Sequence, residues 1–71
     1  MRNKADRTRA RNHVRIARAA LDARDPEKAA AAVRLAAIEL DRAAAKGVIH
    51  SKNAARRKGR LMKQLAALAK G

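Results

Sequence analysis

Arginine supplies most of the chemistry this chain can do. It stands at positions 7, 11, 15 and 18, and again at 56, 57 and 60. A guanidinium is a permanently charged fork that grips two oxygens of a phosphate or carboxylate at once. The first set recurs at spacings of three and four, so on a helix it forms one ridge. The second lies within Lys52 to Arg60, where five of nine residues are cations, and no acid follows Asp41. A charge run is ordinarily a solvated face. The near absence of counter-acids here argues instead for an external anion.

Charge along the chain sharpens that reading. Residues 1–18 carry seven Lys or Arg and one acid, residues 19–45 four bases and five acids, and residues 46–71 eight bases and no acid. The net charge of +13 therefore sits in two cationic arms around a neutral middle. Self-repulsion between such arms is relieved by a polyanion, of which nucleic acid is the commonest. The chain has no Phe, Tyr or Trp, so it cannot stack bases as aromatic RNA-binding sheets and single-strand binders do. Twelve Arg against seven Lys suit recognition of folded RNA through phosphates, 2′-hydroxyls and shape, with little base reading. On charge alone, DNA fits as well.

Other chemistry finds little support. Two His, no Cys and six scattered acids supply no nucleophile–base pair, no carboxylate pair on one face and no third metal ligand. No catalytic residue, metal or cofactor is expected. Asp22, one turn from Arg18, and Glu39, three residues from Arg42, read as ordinary helix-surface pairs. No apolar run approaches eighteen residues, so no membrane-spanning helix is expected.

The elements that position these residues are helices. About Asn3 to Ala23 contains no Gly or Pro, and Ala10, Val14, Ala17 and Leu21 share one face, widened by Ile16 and Ala20. Asp25-Pro26 breaks the chain, because proline disfavours helix in the residue before it and suits the first turn after it. A second helix runs from Pro26 to about Lys46 on the stripe Val33, Ala37, Leu40 and Ala44, flanked by Leu35 and Ile38. Gly47 stops it. Ser51 is the expected N-cap of a third helix, to about Ala69, packed through Leu61, Leu65 and Leu68 with Ala54, Ala55 and Met62. Gly59 either admits a phosphate backbone or is a tolerated weak point. Short connections make neighbours antiparallel. The expectation is an all-α, up-down-up three-helix bundle with a long basic first helix, residues 1–71 forming one domain. Twenty of its apolar residues are Ala, so its core is thin.

One stretch has a familiar form. Asp41-Arg42-Ala43-Ala44, Lys46-Gly47-Val48-Ile49-His50, Ala54-Ala55-Arg56-Arg57-Lys58 and Arg60-Leu61 together resemble the signature of bacterial small-subunit ribosomal protein twenty. The match covers about twenty contiguous residues. Ser51-Lys52 stands where that family usually has Lys-Asn, and Gly59 where it favours Ser. The family pattern also places some twenty further basic residues ahead of the point matching Met1.

The resemblance implies a three-helix structural protein, not an enzyme, of the bacterial (or organellar) small subunit. It would bind 16S-type ribosomal RNA through phosphates and the minor groove, help assembly beside other subunit components, and reside ribosome-bound in the cytoplasm, with no membrane or small-molecule partner. The expected RNA-binding residues are Arg2, Lys4, Arg7, Arg9, Arg11, Arg15 and Arg18 on the first helix, Lys46 and His50 at the second turn, and Ser51, Lys52, Asn53, Arg56, Arg57, Lys58, Arg60 and Lys63 on the third. His50 is either a donor to RNA or a turn residue covering the end of the bundle. Two other classes stay open from composition: a cationic amphipathic membrane-active peptide and a histone-like DNA-binding protein.

Overall fold

A computed structural model of the chain describes residues 2–70, with side chains described for residues 5–70. Three helices follow one another: α1 (Arg2–Asp22), α2 (Pro26–Ala45) and α3 (Ser51–Lys70). The described residues contain no strand, and the fold is the all-helical three-helix arrangement that the spacing predicts.

The breaks between helices have visible causes. Asp25 is extended (φ −103°, ψ 101°), as the residue before a proline must be. Its Oδ1 accepts from the Lys28 N–H at 3.3 Å and its carbonyl from the Ala29 N–H at 2.8 Å, which caps α2. The other end of α2 closes on Gly47, whose φ is +76°. Gly47 N–H donates to the Ala44 carbonyl at 3.0 Å and Val48 N–H to the Ala43 carbonyl at 2.9 Å. That pair of bonds is the Schellman stop, and Val48, buried beside Ala43, supplies its apolar contact.

The cap of α3 differs from the expectation. His50, not Ser51, holds the cap: its carbonyl accepts from the Ala54 N–H and its ring Nδ1 from the Lys52 N–H, both at 3.1 Å. Ser51 is already the first helical residue. With the cap one residue earlier, the imidazole serves the Lys52 amide, where a Ser51 hydroxyl would have served that of Asn53 or Ala54.

Packing is organised by α2. It buries seven residues, among them Val33, Ala36 and Leu40, while α3 buries only Ala54 and Leu61. α2 lies closely against both neighbours, and α1 and α3 scarcely meet. The bundle is consequently flattened, 40 × 19 × 13 Å between Cα atoms. Several expected core residues stay outside. Ile16, Leu35, Ile38 and Met62 are each about half exposed, and Ala55 is exposed. Each stands one or two residues from a buried neighbour, and at about 100° per residue that carries a side chain well round the helix. Leu65 and Leu68 are only half-buried, so the α3 stripe is anchored by Leu61.

Candidate nucleic-acid interface

Because α1 and α3 hardly touch, a trough opens between them. Arg11, Arg15 and Arg18 line it from α1, and Arg56, Arg57 and Arg60 with Asn53 line it from α3. Val14 and Leu61 reach its floor. All six guanidinium side chains belong to exposed residues, and no acid lines the trough. On α1 the first and last of the three arginines, Arg11 and Arg18, stand seven residues apart, a rise of about 10 Å, so the wall is long enough to face successive phosphates.

The acids lie elsewhere, and they select which cations are occupied. Lys46 Nζ meets Asp6 Oδ2 at 3.4 Å, tying the end of α2 to the start of α1. Lys58 Nζ meets Asp41 Oδ2 at 3.1 Å across α2 and α3. Arg42 pairs with Glu39 at 3.7 Å, while the expected Asp22–Arg18 pair does not form among the described residues. Lys46 and Lys58, two expected RNA contacts, are thus held by carboxylates outside the trough.

The remaining expected residues spread around it. Arg7 is exposed and continues the α1 ridge one turn before Arg11. Arg9, also exposed, is two residues off that ridge and points to the opposite flank. Arg2 and Lys4 lie on α1, but their side chains fall outside the described residues. Lys52 and Lys63 are exposed on α3, outside the trough, and Ser51 lines a shallow hollow against α2. His50 is exposed. With Nδ1 accepting from the Lys52 N–H, its neutral ring carries the proton on Nε2, so the ring caps the helix and presents a donor outward.

Sequence reasoning passed over the far end of the trough. A second hollow continues it through Arg18 and is walled by Leu21, Asp22, Arg24, Gln64 and Leu68. Gln64 was detectable, since it follows Arg60 by four residues on one helical face. Arg24 was not, because it projects from a turn whose geometry no periodicity describes.

Among the described residues no group of three His, Cys, Asp or Glu is placed to hold a metal, and no helix is long and apolar enough to cross a membrane.

A family model described as ribosomal protein S20 matches residues 1–66. The small ribosomal subunit protein bS20 of Thermomicrobium roseum is 51% identical over 70 residues, which are 99% of this chain and 71% of that protein. The bS20 of Cutibacterium acnes is 48% identical over 68 residues, 96% of this chain and 77% of that protein. That of Beutenbergia cavernae is 46% identical over 67 residues, 94% and 78%.

Proposed function

The chain belongs to the ribosomal protein S20 family, and from that premise we propose that it is a structural constituent of the bacterial small ribosomal subunit, binding its RNA directly and supporting its assembly. It is not an enzyme. It works in the cytoplasm as part of the ribosome, beside other components of the small subunit, and residues 1–71 act as one RNA-binding domain. The observation that carries this reading is the acid-free trough of six exposed arginines between α1 and α3. Two rows of fixed forks on a slender scaffold suit the phosphates of neighbouring RNA segments, which they neutralise and hold in register. Arg7, Arg11, Arg15, Arg18, Asn53, Arg56, Arg57 and Arg60 are the main contacts. Arg2, Lys4, Arg9, His50, Ser51, Lys52 and Lys63 extend the cationic surface, and Lys46 and Lys58 chiefly brace the fold.

Competition binding tests the assignment. Fluorescently labelled chain is titrated with small-subunit ribosomal RNA, duplex DNA of equal length and anionic lipid vesicles at one fixed salt concentration. The RNA is expected to bind most tightly. Equal affinity for the DNA would favour a histone-like role, and vesicle-induced helix without RNA binding a membrane role. Either outcome overturns the reading.

A further inference from the structure

The hollow at the far end of the trough is chemically unlike the trough itself. It is about 530 Å³ in volume and is walled by Arg18, Leu21, Asp22, Arg24, Gln64 and Leu68. The trough offers a bound RNA almost nothing but donors. The hollow adds a carboxylate that only accepts, together with a second amide, that of Gln64, which like Asn53 of the trough both donates and accepts, among two guanidiniums and two leucines.

Two of these residues are poor choices for the fold. Asp22 is the last residue of α1, an acid at the negative end of the helix dipole, with no cation in that turn. It forms no ion pair among the described residues. Arg24 has φ +57°, a left-handed conformation that glycine adopts at far less cost. Either residue alone is unremarkable in a turn. Side by side and lining one hollow, they break local rules where a ligand would explain both. An acid also opposes phosphate binding, so the hollow is not simply more of the same trough.

The complementary ligand is a planar heterocycle with two adjacent donors and an acceptor beside them. Guanine has that edge: N1–H and N2–H face a carboxylate together, and O6 accepts from an amide or guanidinium. Adenine, cytosine and uracil each offer a carboxylate one donor group at most. The second guanidinium can lie on the base face or take the nucleotide's own phosphate. In a duplex this edge is already paired, so the base must be unstacked from a loop or bulge. We propose that Asp22, Arg24 and Gln64, with Arg18, form a subsite for one unpaired guanine nucleotide at the end of the phosphate trough. The proposal rests on the reading of the chain as an RNA-binding protein and adds a base-specific element to it.

Two RNA hairpins test it, identical except for one bulged nucleotide, guanine in one and uracil in the other. The whole chain should prefer the guanine hairpin by about tenfold, the discrimination a good two-bond contact provides. Asp22→Asn should abolish the preference while binding the uracil hairpin at least as tightly, since a negative charge is gone. Simple electrostatics predicts the opposite pattern, a gain for both hairpins alike. That result, or no preference in the unsubstituted chain, overturns the proposal. Arg24→Gly should raise the melting temperature yet weaken the guanine hairpin selectively; an intact preference would remove Arg24 from the subsite. Failure of the underlying reading looks different, because then neither hairpin binds in a salt-dependent way.

Discussion

Lys58 and Arg57 are neighbours in sequence with different surroundings. Arg57 lines the acid-free trough, whereas Lys58 is half-buried and bonded to Asp41. Arg57→Ala with Arg60→Ala should make the salt dependence of RNA binding shallower by about two units of log–log slope, roughly one per phosphate contact. Lys58→Ala should leave that slope nearly unchanged and cost only about 0.2–1 kcal/mol in thermal unfolding, as surface ion pairs do, because the Asp41 partner is open to solvent. Equal slope changes in the two variants would contradict the division of roles. At His50 the ring nitrogen caps α3, so His50→Asn should keep helix stability while His50→Ala loses about 1 kcal/mol, measured by urea melts. Spacing along the sequence exposes the α1 arginine ridge because that ridge is local. It cannot expose Asp6–Lys46 or Asp41–Lys58, whose partners stand 40 and 17 residues apart.

The helices themselves were readable, because their signals are local. Pro26 and Gly47 mark the breaks through backbone constraints that hold in any context. Which apolar residues enter the core was less readable: twenty alanines leave the stripes wide, and tertiary contact alone decides that Leu61 is buried while Leu65 and Leu68 are half-covered. The two interior glycines separate cleanly in the structure. Gly59 sits in the regular helix α3, a Cβ there would meet nothing within 4 Å, and it lines the α2 side instead of the trough. Gly59→Ala should therefore stabilise α3 by about 1 kcal/mol without changing RNA affinity. Gly47→Ala places a side chain at φ +76° and should destabilise by a similar amount. Calorimetry and one binding isotherm check both. A loss of affinity in Gly59→Ala would restore the close-phosphate reading of that glycine.

For the whole molecule the decisive fact is that α2 provides most of the packing that joins two mutually repelling arms. Leu40 and Val33 are the largest fully buried side chains, and stability for 71 residues should be at the low end of about 4–10 kcal/mol. Backbone ordering opposes it at about 1–2 kcal/mol per residue, so few large apolar groups must offset much. The sparse contact between α1 and α3 is where an anion would act, neutralising both arginine rows at once. Circular dichroism in low salt should show incomplete helix, held mainly by the neutral α2. Sulfate or small-subunit RNA should raise helicity and melting temperature, and chloride at matched ionic strength should do so less, because screening alone does not bridge two guanidiniums. Leu40→Ala makes the coupling visible: a core truncation of about 2–5 kcal/mol is comparable to the whole stability. The free variant should be largely unfolded, yet it should regain helix when RNA is added, with weakened affinity. Full helicity and a cooperative melt of the unsubstituted chain in low salt, unchanged by sulfate, would mean that α2 holds both arms unaided and that the trough is preformed.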